Sequence, residues 1–310
     1  MSEEHPRPSE RASALVEGGY DLHVHVAPDI MNRRLDDVSL ARRYRETSLA
    51  GFVLKSHYMP TAERAEVVRG VVPGVQVLGA VTLNGSVGGM NPLAVEIAAR
   101  EGARVVWMPT VDAANQRQST AKEPEGSTPP MWARVQSELQ EQGIASPPIA
   151  VLDPGGQVLP AVRDVLRVIA RYDMVLATGH LGRDEIFAVV DAAAEEGVRR
   201  IMVTHPEFTS QRLSGADQKE LAERGALLER CFTTPYTGKV TWADMVANIR
   251  AAGPEHSVLS SDLGQPFNPP VDEGLPLMAD FLLDAGFTED EVHTMAVTNT
   301  TVLGSSEVPR

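Results

Sequence analysis

Cysteine is almost missing: Cys231 is the only one in 310 residues, so no disulfide can close within the chain. That fits a reducing compartment and points to a cytoplasmic protein. Positive charge is also scarce. Lys and Arg total 28 against 42 Asp and Glu, a formal net charge of −14. So acidic a chain lacks the basic stripe of a nucleic-acid surface and is disfavoured at anionic lipid. The total charge says little about the field inside a pocket, so the substrate's charge stays open. No apolar run approaches the ~20 residues of a membrane span. The opening MSEEHPRPSERASALVEGG has no apolar stretch of the secretion-signal kind. The expected partner is a small-molecule substrate, with neither nucleic acid nor membrane, and a homo-oligomer stays open.

Apolar residues make up 43% of the chain, enough for a large core. Residues 1–18 read as a loose, charged N-terminal arm. From Tyr20 onward, short apolar runs alternate with stretches of helical spacing. The runs are YDLHVHV, GFVLKSH, VQVLGAVTLN, ARVVWMPT, MVLATGH, RRIMVTH, ALLERCF and HSVLSSD. Eight strand–helix units of this kind predict an α/β fold, a (β/α)8 TIM barrel over residues 19–310. The rhythm breaks between about 111 and 159, where Gly, Pro, Ser and Thr dominate around one helical stretch, MWARVQSELQEQG, and a hairpin at Pro154-Gly155-Gly156. This is expected to be a lid-like insertion after strand four that shapes or covers the substrate pocket. An open doubly wound sheet is the alternative fold. It usually carries a glycine-rich phosphate loop after its first strand, and that place holds HVHVAPD.

Where those runs end, polar residues of one chemical kind appear. They are His23 and His25, Lys55 and His57, His180, His205 and Asp262. Five of the eight histidines finish apolar runs, whereas His5, His256 and His293 do not. In a barrel, the C-terminal strand ends converge at one mouth. His-x-His on a strand puts both rings on one face, because side chains alternate with period two. Taken singly, each residue has a bland explanation, a strand-end turn or a helix cap. Together they form the donor set of a catalytic divalent metal, most simply zinc, with manganese, nickel or iron also suited, as one or two ions.

The order of these residues resembles the amidohydrolase superfamily: His23 and His25 on strand one, His180 at strand five, His205 at strand six and Asp262 at strand eight. The resemblance covers about Tyr20 to Leu303. More narrowly, DLHVHVAPD, VLKSHYMPTA, SVGGMNP, RVVWMPT, ATGHL and VTHPE resemble an uncharacterised bacterial amidohydrolase-like group. The resemblance implies metal-activated hydroxide attacking a carbonyl, with Asp262 as general base. Binuclear members commonly bridge their ions with a carboxylated lysine or a glutamate on strand four, and ARVVWMPT has neither. Lys55 is the lysine at a matching strand end, so it is expected either as a carboxylated bridge or as a cation that binds substrate. His57 is expected as ligand, proton shuttle or donor to substrate oxygen.

Substrate contacts are expected from Asn84 as an oxyanion donor, from Trp107 and Thr110 beside strand four, and from Arg33 and Arg34 toward a carboxylate. The two arginines are equally explained as surface charges. Glu229 and Cys231 flank strand seven, with a buried structural role for Cys231. The expected reaction is hydrolysis of a C–N bond in an amide or cyclic amide. The alternatives are a lactonase or phosphoesterase on the same centre, a mononuclear decarboxylase, or a barrel that binds without turnover. Phosphoesterases that begin with His-x-His typically finish with Asp-x-His, whereas this chain finishes SSDLG.

Overall fold

A computed structural model describes residues 5–122, 131–144 and 147–305. The eight apolar runs become β1 (Tyr20–Val24), β2 (Gly51–Leu54), β3 (Gln76–Thr82), β4 (Ala103–Trp107), β5 (Val175–Ala177), β6 (Arg200–Val203), β7 (Leu227–Cys231) and β8 (Ser257–Ser260). Every neighbouring pair is parallel, and the strands lie side by side in chain order. β8 meets β1 through a parallel bridge between Val24 and Leu263. There His25 N donates to Leu263 O and Asp262 N donates to His23 O, both at 2.8 Å. The sheet thus closes into the (β/α)8 barrel that the alternation predicts. Among the described residues, no helix is long and apolar enough to cross a membrane.

Apolar side chains fill the barrel from both sides. Tyr20, Leu22, Val53, Leu78, Val105 and Trp107 belong to the inner cluster. Two larger clusters lie between the sheet and the surrounding helices. Each fully buried aliphatic or aromatic side chain contributes on the order of 1.5–3 kcal/mol.

Two departures from regular strands create the mouth. The first is a bulge in β1. Asp21 pairs with Phe52 and Val24 with Leu54, so three steps on β1 match two on β2. Tyr20 and Leu22 face inward, and strict alternation would then turn His23 outward. The extra residue resets the phase: Val24 packs with the outer cluster, and His23 and His25 turn inward. The second departure lies at the strand ends. β5, β6 and β8 stop two or three residues before His180, His205 and Asp262. Positive φ at Gly179 (60°), His205 (23°) and Asp262 (52°) ends each ladder. These three residues sit on the first loop positions, rather than on the strands the apolar runs suggest.

The N-terminal segment is better ordered than a loose arm over its described part. Ser9 Oγ accepts from Ala12 N at 3.0 Å and caps a helix, Glu10–Leu15, that buries Ala12 completely. Ser9 also donates to Asp280, and Arg11 pairs with Glu289. Within residues 111–159 two helices form, Ala114–Ala121 and Met131–Glu141. Asp153 N donates to Gln157 O at 2.8 Å, closing the hairpin around Pro154. Residues 123–130 of the polar stretch lie outside the described residues.

Candidate metal centre

The bulged β1 brings both of its rings to one oxygen. His23 Nε2 and His25 Nε2 lie 3.1 and 3.2 Å from Asp262 Oδ1. One donor atom from each of these residues comes within 4.8 Å of the other two. Lys55 Nζ reaches to 2.8 Å from His23 Nε2. The ring of His205 stacks on His23 with centroids 5.9 Å apart, and His180 packs on His205 at 5.1 Å. His57 stacks on His25 at 5.1 Å. Residues spread from position 23 to 262 therefore meet at one end of the barrel.

The donor set suits a divalent ion. Imidazole nitrogens and a carboxylate oxygen are the usual ligands of zinc and its neighbours. Nδ1 of His180 and Nδ1 of His205 are buried without a hydrogen-bond partner. A buried ring nitrogen left unpaired is costly, and coordination of that nitrogen to an ion would offset the cost.

Burial keeps most of these imidazoles neutral. It holds His25 well below the usual histidine range, helped by the charge of Arg33. It does the same to His57, helped by Lys55, and to His180, helped by His205. His205 is held down to about 4 by burial, against the pull of Asp262. Burial also lowers Lys55, although Asp262 and Glu229 oppose it. His23 is the exception: burial and Lys55 push it down, but Asp262 and Glu229 outweigh them and raise it. Asp262 stays well below the usual carboxylate range, because His23 and His25 outweigh the effect of burial.

The residues expected to contact substrate fare differently. Asn84 is no oxyanion donor: its amide is fully used as a strut. Nδ2 donates to His57 O at 2.8 Å and to Thr110 Oγ1 at 2.7 Å. Oδ1 accepts from Thr110 N at 2.8 Å and Asp112 N at 3.3 Å. Thr110 is likewise buried, its Oγ1 at 2.8 Å from His57 Nδ1. That hydroxyl accepts from Asn84 Nδ2, and its contact with Nδ1 fixes the ring of His57 and leaves Nε2 as the nitrogen free to meet a substrate.

Trp107 is also misassigned as a pocket wall. It is fully buried inside the barrel, its ring 5.6 Å from His23 and 5.0 Å from Lys55 Nζ. Arg34 does not reach toward a substrate carboxylate. It donates to Pro266 O and Asn268 O, tying down the loop after β8. Arg33 is not a surface charge: its side chain is 4% exposed, paired with Asp29 at 2.7 Å, and its Nη2 lies 3.3 Å from His25 Nδ1.

Sequence reasoning underrated two residues. Glu229 on β7 lies against His23, and Thr233 Oγ1 donates to Asp262 Oδ2 at 3.1 Å. A glutamate inside an apolar strand was the available signal for the first. Nothing in the string CFTTPY marks the second. A cleft of about 910 Å³ is lined by Tyr58, Asp112 and the inserted helix residues Val135 and Leu139, and by none of the candidate ligands.

A model of a family of unknown function (DUF6282) matches residues 18–229. No curated protein matches the chain. Among solved structures, the chain is similar to an amidohydrolase from Pseudomonas aeruginosa, at 12% identity and a TM-score of 0.58, over 94% of this chain and 98% of that one. It is similar to the probable dipeptidase PvdM from Pseudomonas aeruginosa, at 12% identity and a TM-score of 0.58, over 95% and 97%. It is also similar to an organophosphorus hydrolase from Deinococcus radiodurans, at 15% identity and a TM-score of 0.56, over 98% and 100%. At such identities the likeness is one of fold alone, a (β/α)8 barrel.

Proposed function

Since the chain belongs to that family of unknown function (DUF6282), we propose from its own site that it is a metal-dependent hydrolase acting on a C–N bond, an amide or cyclic amide, of a small molecule. The observation that carries this is the single Asp262 oxygen shared by the Nε2 atoms of His23 and His25. His23, His25, His180, His205 and Asp262 would hold one or two ions, zinc being the simplest match to the donors. When bound, such an ion polarises the scissile group and brings the pKa of water to about 7.

The protein's own groups supply the rest. Ionised Asp262 accepts the proton of the attacking water and returns it to the departing amine. Thr233 fixes the orientation of that carboxylate. Neutral His57 presents its Nε2 to the substrate. Lys55, standing 2.8 Å from His23 Nε2, is proposed as a carbamate whose oxygens would join the residues that hold one or two ions. The insertion is proposed to shape the substrate pocket, its cleft taking an apolar portion of the molecule.

Two of the structural neighbours are named for C–N hydrolysis, an amidohydrolase and a probable dipeptidase, which supports the amide reading. The organophosphorus hydrolase supports a second reading, phosphoester or lactone hydrolysis by the same groups. The test is a panel of amides, cyclic amides, lactones and phosphoesters, offered to metal-stripped protein and to protein reloaded with zinc, manganese, nickel or iron. Turnover of a C–N substrate is expected only after reloading, and Asp262→Asn should lower kcat by roughly 10²–10⁴-fold with the fold intact by circular dichroism. Turnover confined to lactones or phosphoesters would move the chain to the second reading. Absence of both metal uptake and turnover would overturn the proposal.

A further inference from the structure

Glu229 has no part in the chemistry described so far. It stands in the middle of β7, and its side chain is fully buried. Its neighbour Arg230 points out of the barrel to Glu207 and Gln218, so alternation along the strand turns Glu229 and Cys231 inward. There the carboxylate meets two of the residues assigned to the ion. Its oxygens lie 3.2 and 3.3 Å from His23 Nδ1. Oε2 also accepts from the backbone N–H of His205 at 3.3 Å.

We propose that Glu229 is a positioning residue of the metal centre, one carboxylate that fixes the ring of His23 and the backbone of His205 together. The inference rests on the metal-dependent reading of the site. An ionised carboxylate can only accept, so the proton of His23 lies on Nδ1. The nitrogen left to offer its lone pair to an ion is then Nε2, once the proton it shares with Asp262 Oδ1 at 3.1 Å is released. Carboxylates placed behind a ligating histidine set ring orientation and ligand basicity in this way. His205 needs a different kind of support. Its φ of 23° is a left-handed backbone that a residue with a side chain adopts at a cost. Its N–H to Glu229 is a bond that holds it there.

One competing arrangement uses the same atoms. His23, Glu229 and Cys231 each offer a donor within 4.8 Å of the others and could themselves enclose an ion. Burial speaks against it. Glu229 and Cys231 have no exposed surface, while Asp262, on the Nε2 side of His23, has a side chain 17% exposed. The ion meets Nε2, and Glu229 acts through the ring.

The test titrates metal-free full-length protein with zinc against a competing chelator, and with cobalt(II) followed by visible absorption. Glu229→Gln keeps the shape but removes the charge and one acceptor. Zinc affinity should fall about 10–100-fold and the cobalt spectrum should shift, while the unfolding midpoint of the metal-free protein stays near that of the original. Glu229→Asp serves if the first variant fails to fold; it keeps the charge, draws it back by one methylene, and should lose less affinity. Cys231→Ser should bind close to the original chain. Equal affinity and an unchanged spectrum in Glu229→Gln would overturn the inference while leaving the metal reading standing. So would a thiolate-to-cobalt charge-transfer band that disappears in Cys231→Ser, because Glu229 and Cys231 would then be direct ligands. An original chain that takes up neither ion would overturn the metal reading and this inference together.

Discussion

On the proposed reading, the chemical form of Lys55 decides how many ions the centre would hold. It is 3% exposed, lies over the face of Trp107 and is surrounded by imidazoles. Burial lowers its pKa, which favours the neutral amine that carbon dioxide requires. The amine nitrogen adds to the carbon and sheds one proton, and the carbamate so formed is an anion able to bridge two cations. Protein equilibrated with ¹³C-labelled bicarbonate and zinc should show a carbamate carbon resonance. Lys55→Met should abolish that resonance and halve the zinc bound. One ion per chain and no labelled resonance would leave Lys55 as a cation facing substrate. The candidate ligand histidines were legible because each finishes an apolar run. The fate of Asn84 was not. A strand-end amide looks alike whether its hydrogens are free or spent, and here both are donated, to His57 O and Thr110 Oγ1, while Oδ1 accepts two backbone N–H groups. Arg33 was hidden for the opposite reason: nothing in MNRR tells which of two adjacent guanidiniums is covered.

Elements place these residues through their irregularities. The alternation of strands and helices was readable because both faces of each barrel strand are buried, giving apolar runs, while the helices are apolar on one face only. The bulge in β1 was not readable, since an extra residue in a ladder depends on the partner strand. Strand ends were overestimated because the first loop residues at the mouth are buried as deeply as the strands themselves. Gly179 shows how such a loop residue aims a ligand. Its φ is 60°, and a Cβ there would lie 2.4 Å from Met108 O and 2.6 Å from Pro109 O. Those oxygens belong to the segment after β4, whose Pro109 O accepts from His180 N at 3.0 Å. Gly179→Ala must therefore move backbone, not a flexible side chain. It should destabilise the protein by more than about 1 kcal/mol in urea unfolding and weaken zinc binding as His180 is displaced. Unchanged stability and affinity would mean that this loop is free to shift.

At the scale of the whole molecule, closing the barrel gathers groups that titrate together. His25, His57, His180 and His205 are all held below the usual histidine value, with burial the first cause in each. Unfolding returns them to about 6.5. Below that pH the unfolded chain binds more protons than the folded one, so folding stability must fall as pH falls, down toward the value of about 4 held by His205. Other groups act the other way. Asp21, raised to about 6 by burial, keeps its proton in the folded state and so favours folding as pH drops from about 6 toward 4. His23, raised by Asp262 and Glu229 against burial, also favours folding under acid conditions. Glu185 and Glu273, raised by burial, join them, while Asp262 and Glu229, held low beside the imidazoles, side with the four rings, which carry the balance. Metal-free protein should therefore unfold at a lower urea concentration at pH 5 than at pH 7.5. Zinc should raise the midpoint at pH 7.5 and keep most of that effect at pH 5, where His25, His180 and His205 are still neutral in the folded chain and protons compete chiefly at His23. A metal-free midpoint that holds steady or rises at pH 5 would mean that these rings are not kept neutral by burial, and the barrel mouth would have to be wetter than its packing implies.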